Sequence, residues 1–156
     1  RSVSPYELAH ALGHQDMVRV LEIVDSLFAA SFYPPPCITA VFRHFNSLFR
    51  VRTYLDAHPQ AHARFQQATK NRNRTMQNKI ALAAGIAGGF LREGQENRLF
   101  PVIIKPGVLQ QAHRFDRSRY KAIFGWLRDY DVGVKTGRVE SSKRSFQLLC
   151  YRIVRG

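Results

Sequence analysis

Acidic side chains are scarce in this chain: eleven Asp and Glu stand against 24 Lys and Arg, for a formal net charge of +13. So few carboxylates leave little material for paired acid–base catalysis, which needs two of them held across one site. Cysteine is scarcer still. The two present, Cys37 and Cys150, lie far apart, each inside an apolar-periodic stretch, with no C-x-x-C pairing and no leader pattern ahead of them. That argues against a zinc site or a disulfide framework and for two core thiols in a reducing cytoplasm. No apolar run reaches the roughly 18 residues of a membrane span, so the sequence reads as soluble with no membrane contact expected. A phosphate-cradling G-x-x-x-x-G-K-S/T loop is also missing, since Gly85, Gly88 and Gly89 lead into Phe90 and Leu91. Nucleotide hydrolysis is therefore not expected of this chain.

Catalytic and metal constellations are thin as well. His58 and His62 are four residues apart, but Pro59 interrupts the helical face they would share and no third ligand stands nearby. The remaining histidines accompany no nucleophile-elbow pattern. The expectation is a domain with no catalytic residues, no metal and no cofactor.

What the chain does have is apolar material in helical register: 45% of its 156 residues are hydrophobic and 12% aromatic, enough for one domain with a real core. Ser4-Pro5-Tyr6-Glu7 supplies an N-cap, a first-turn proline and the acid of a capping box, predicting a short helix from Pro5 to about Leu12 that Gly13 stops. From Asp16 the residues Met17, Val20, Leu21, Val24, Leu27 and Phe28 form one face of a second helix. Pro34-Pro35-Pro36 breaks it, and the last of these prolines opens a long third helix carrying Ile38, Val41, Phe42, Phe45, Leu48, Phe49 and Leu55.

Residues 58–79 are polar and basic with little periodicity and read as a weak helix or loop. A small-residue helix is expected over 80–91 and an extended connector over 99–104. Periodicity then returns. A short helix is predicted from Pro106 to Arg114, and Asp116 caps a longer one carrying Tyr120, Ile123, Phe124, Leu127, Tyr130 and Val134 that ends at Gly137. A last helix starts at Ser141 or Ser142 with Phe146, Leu149, Cys150 and Ile153 on one face. The sum is an all-α protein, an antiparallel bundle of about five to seven helices in a single domain over 1–156.

Charge is unevenly spread: residues 1–58 hold five basic and five acidic side chains, so the whole excess follows Pro59. Two basic clusters stand out, Lys70/Arg72/Arg74/Lys79 and Arg114/Arg117/Arg119/Lys121. The second falls at a helix junction, where side chains can fan toward a phosphate backbone or an acidic partner. Aromatics interleave poorly with both, so a base-stacking platform is not indicated. Asp131 and Lys135 are spaced for an ion pair, the lysine suits the negative helix end, and Gly137 suits a left-handed stop. That trio is a helix-end device or a subunit contact.

The C-terminal residues carry a resemblance. Ile104-Lys105-Pro106-Gly107-Val108-Leu109-Gln110-Gln111-Ala112-His113-Arg114-Phe115, then Leu127-Arg128-Asp129-Tyr130-Asp131-Val132-Gly133-Val134-Lys135-Thr136-Gly137, and the closing Phe146-Gln147-Leu148-Leu149-Cys150-Tyr151-Arg152-Ile153 follow in this order. Together with the opening Ser4-Pro5-Tyr6-Glu7-Leu8 and Ala11-Leu12-Gly13, this is similar to the C-terminal collar domain of the delta subunit of bacterial DNA polymerase III clamp loaders. Residues 57–99 depart from that family in being longer, more basic and richer in glycine. The resemblance implies a fragment that lacks the preceding ATPase-like and lid domains and associates with other clamp-loader subunits, the sliding clamp and DNA being met by the complete protein. The rival expectation is a free-standing basic helical domain that binds nucleic acid.

Overall fold

The computed structural model of the chain describes residues 3–31, 34–59, 63 and 107–156. Among these the fold is all-α, with six helices and no strand: α1 (Pro5–Gly13), α2 (Met17–Ala29), α3 (Pro34–Ala57), α4 (Val108–His113), α5 (Arg117–Lys135) and α6 (Lys143–Arg155). The expected helix over 80–91, the connector over 99–104, the cluster Lys70/Arg72/Arg74/Lys79 and His62 lie outside the described residues. By compactness the chain divides into two units, residues 1–46 with 114–156, and residues 47–113.

Local side chains set the helix starts. Ser4 Oγ accepts from the Glu7 N–H at 3.3 Å, Asp16 from Arg19 at 3.1 Å and Asp116 from Arg119 at 2.7 Å. Each satisfies an amide that has no partner within its own helix. At α6 the structure selects Ser142 over Ser141, and Ser145 completes a reciprocal capping box with its hydroxyl where Glu or Gln is usual.

Three boundaries differ from expectation. Helix α3 starts at Pro34, two residues before the proline expected to open it, because first-turn N–H groups have no helical acceptor and prolines there cost nothing. Helix α4 is shorter than predicted, since Gly107 at φ 78° is left-handed and helical geometry begins only after it. Gly13 is still helical, and the left-handed residue that turns the chain is Gln15, at φ 57°. Its N–H reaches the Leu12 carbonyl, and the next N–H, of Asp16, reaches Ala11, which together make a Schellman closure with glutamine in the usual glycine position.

In the first unit, α2 packs against α1 and α6, and α6 also meets α1 and α5. Because α2 has neighbours on two sides, its buried arc is Val20, Ile23, Val24 and Leu27, and the expected core residue Leu21 sits at its margin, 38% exposed. Phe45 of α3 lies 5.3 Å from the Phe115 ring and 6.3 Å from Tyr120, in edge-on contacts that fill the centre. Phe42, also expected inside, lies against Phe124 but remains 44% exposed. The α6 face of Phe146, Leu149, Cys150 and Ile153 is buried as its periodicity requires. In the second unit, Val51, Tyr54 and Leu55 of α3 and Val108, Leu109 and Ala112 of α4 are buried. Arg52 there binds Asp56 and donates to the His113 carbonyl.

Candidate functional site

The basic cluster at the start of α5 is divided by the fold. Arg114 and Arg119, with Gln15, Phe115, Asp116 and Ser118, line an open, largely polar pocket of about 400 Å³. Arg117 and Lys121 are exposed but do not line it.

Arg119 is engaged within the fold as well as lining this pocket. Its Nη2 donates to the carbonyls of Ile153 at 2.7 Å and Arg152 at 3.2 Å, while Gln15 Nε2 donates to Val154 at 3.3 Å. These carbonyls belong to the last turn of α6, at the negative end of the helix dipole, and that of Arg152 also accepts the Gly156 N–H at 2.8 Å. A guanidinium is well suited to them because it is planar, cationic and rich in donors. Its Cζ also stands 5.6 Å from the Trp126 ring centroid. Arg119 therefore closes α6. Of the four residues expected to meet an anion, Arg114, Arg117 and Lys121 remain exposed.

Asp131, Lys135 and Gly137 do come together as a helix end. Lys135 Nζ lies 2.9 Å from Asp131 Oδ2, Gly137 is left-handed at φ 75°, and its N–H reaches the Val134 carbonyl. Gly133 in the same segment has a role that spacing does not reveal. A Cβ there would overlap Val139 Cγ2 and stand 3.1 Å from Val139 Cβ, so the chain leaving α5 folds back over a bare backbone. The Val139 N–H donates to the Gly133 carbonyl at 3.0 Å.

A second feature was missed by reading apolar periodicity alone. Between α5 and α6 runs a groove of about 270 Å³ walled by Trp126, Tyr130, Val139, Leu148 and Leu149, with Asp129 and Arg152 at polar positions. Arg152 lies over the Trp126 ring, 4.4 Å from its centroid, and Tyr130 Oη is 3.1 Å from Ser145 Oγ. Beside it, the outer face of α6 exposes Arg144, Leu148, Tyr151 and Arg155, with Leu148 59% and Tyr151 55% accessible. The legible signal was the absence of any acidic residue from Lys143 to Arg155.

Chemically reactive groups are not gathered here. Among the described residues no group of three or more His, Cys, Asp or Glu stands close enough to hold a metal, and no helix is long and apolar enough to cross a membrane. Cys37 and Cys150 are buried and free, and burial pushes the Cys37 thiol up to about 12 and that of Cys150 up as well. Neither is a thiolate at neutral pH, so neither is primed as a nucleophile. No family model, no curated protein and no solved structure matches this chain.

Proposed function

We propose that this chain is an assembly domain, the helical collar of a clamp-loader delta subunit, which holds neighbouring subunits together while a sliding clamp is loaded on DNA. Its work is packing, with no bond made or broken within the domain. One observation carries the reading: large apolar side chains stand in solvent on a bundle whose core is filled without them. Val18 of α2 is 71% exposed, and Leu148 and Tyr151 of α6 are each more than half exposed. Leu148 lines the groove between α5 and α6 with Tyr151 one turn further along α6, and exposed apolar groups so placed are the mark of a surface that meets protein. The resemblance along the C-terminal helices, and through Lys135, Thr136 and Gly137 between them, supplies the kind of assembly.

The deciding experiment is capture of the remaining clamp-loader subunits of the source organism by the purified chain, beside a DNA titration at two salt concentrations. Capture with weak DNA binding that salt abolishes supports the collar. Tight DNA binding with a steep salt slope and no capture would replace it with the nucleic-acid reading, resting on Arg114, Arg117 and Lys121.

A further inference from the structure

We infer that the groove between α5 and α6, with the exposed stripe beside it, is a docking site for an acidic amphipathic helix of a partner protein. The inference rests on the reading of this domain as an assembly module and names the chemistry of one partner. Arg144, Leu148, Tyr151 and Arg155 follow at intervals of four, three and four, so they form one stripe on α6, about 16 Å long at 1.5 Å per residue. The stripe is cationic at both ends and apolar in the middle. A helix laid along it would set an apolar side chain into the groove of Trp126, Val139 and Leu148 and carboxylates against the two terminal arginines.

Arg144 is the most informative of these residues. It occupies the first turn of α6, where the helix dipole favours an acid, and no acid is present in that turn. Its neighbour Lys143 is paired with Asp25 of α2, whereas Arg144 and Arg155 form no ion pair among the described residues. An exposed cation held against the dipole and without a counter-charge gains from an anion supplied by a partner. Arg152, drawn onto Trp126, adds a third cation at the groove.

The same observations weigh against other occupants. A second copy would bring the same cationic stripe, on a chain already at +13, so face-to-face pairing sets like charges together. Nucleic acid would use Tyr151 and the arginines, but it has no need of an exposed Leu148, and Arg152 already covers a face of Trp126 on which a base would stack. An acidic helix with an apolar anchor uses Leu148, Tyr151, Arg144 and Arg155 together, and the groove's own carboxylate, Asp129, already lies 3.7 Å from Arg128.

Trp126 is the only tryptophan in the chain, so its emission reports on the groove alone. The experiment titrates the purified chain with a synthetic 14-residue helical peptide that lacks tryptophan and carries a leucine stripe flanked by glutamates. Parallel titrations use an equally long polyglutamate and an oligodeoxythymidylate. A saturable change in Trp126 emission is expected with the amphipathic peptide. Leu148→Glu, and separately the double change Arg144→Glu with Arg155→Glu, weaken it at least tenfold without altering the circular dichroism spectrum. An absent response, an equal response to polyglutamate, or tighter binding of the oligonucleotide that is lost in the same variants overturns the inference. Capture of clamp-loader subunits is run beside it. If the α6 variants capture them as well as the parent chain does, the site falls and the collar reading stands. If even the parent chain captures none, the collar reading falls and the titration still judges the site.

Discussion

The Arg119 guanidinium donates to the Ile153 carbonyl across 2.7 Å, joining the first turn of α5 to the last turn of α6. A residue that looks like part of a phosphate-binding cluster is thus the C-terminal cap of another helix. Its Nε is enclosed with no hydrogen-bond partner among the described residues, a cost that the two carbonyl contacts offset.

Arg119→Ala is accordingly expected to destabilise the fold by about 1–2 kcal/mol, since its charge-assisted bonds to the last-turn carbonyls of α6 are lost from a partly exposed site. Arg117→Ala, one turn edge away and exposed, is expected to stay within about 0.5 kcal/mol. Urea unfolding of both variants checks this. Equal midpoints would mean that the cap contributes nothing and that Arg119 is free for a ligand.

What was legible in the sequence divides by distance along the chain. The caps Ser4 and Asp116 act on amides three residues away, so residue type and spacing suffice to find them, and the same rule narrows the last cap to Ser141 or Ser142. The buried α6 stripe was readable for the same reason, because one period links its members. Arg119 and Ile153 are 34 residues apart, and nothing local marks a guanidinium as a helix cap. Gln15 escaped because a left-handed glutamine is unusual, and the nearby Gly13 is the more obvious stop. The groove escaped because periodicity identifies which residues are apolar but not which of them the neighbouring helices leave uncovered. Periodicity sets Leu149 inward and leaves Leu148 off that face, but nothing in it shows that Trp126 and Val139 wall a groove beside Leu148.

Leu127 and Arg128 make a direct test of the orientation of α5. Leu127 is 1% exposed, and its truncation to alanine removes contacts that the surrounding helices cannot fully replace, for a loss of about 2–5 kcal/mol. The Arg128 side chain is 77% exposed and its pairing with Asp129 is a loose 3.7 Å, so Arg128→Ala is expected to leave the melting temperature nearly unchanged. Comparable losses in the two variants would mean that the helix is rotated from the face described.

The two thiols predict a pH dependence with a definite sign. Burial raises Cys37 from 9.0 to about 12 and raises Cys150 too, with the Cys37 charge adding to the penalty on Cys150. Between these limits the unfolded chain releases protons that the folded chain retains, so stability is full below about pH 9 and falls as pH rises toward 12. Tyr54 and Tyr130, also raised by burial, act in the same direction. Denaturation midpoints measured across this range should decline, and the decline should be shallower in Cys37→Ala. Iodoacetamide at pH 8 should label neither thiol in the native protein and both in urea. Rapid native labelling would show that the thiols are reached by solvent.

Two glycines of α5 should respond to the same substitution with opposite signs. Alanine at an interior helical glycine normally stabilises by about 0.5–1 kcal/mol, because the unfolded chain loses freedom and the helix gains a better former. Gly125 has nothing within 4 Å of the position a Cβ would take, so Gly125→Ala should show that gain in full. At Gly133 the new methyl meets Val139, and rotating that side chain cannot relieve the clash, because Val139 Cβ itself stands only 3.1 Å away. Moving Val139 would in turn strain its 3.0 Å hydrogen bond to the Gly133 carbonyl, which fixes the path from α5 toward α6. Overpacking of this kind costs about 1–3 kcal/mol and outweighs the helical gain, so Gly133→Ala is expected to be a net loss of about 1–2 kcal/mol. Paired melts of the two variants decide the matter, and a stabilised Gly133→Ala would mean that the turn after α5 yields freely and does not hold α6 in register.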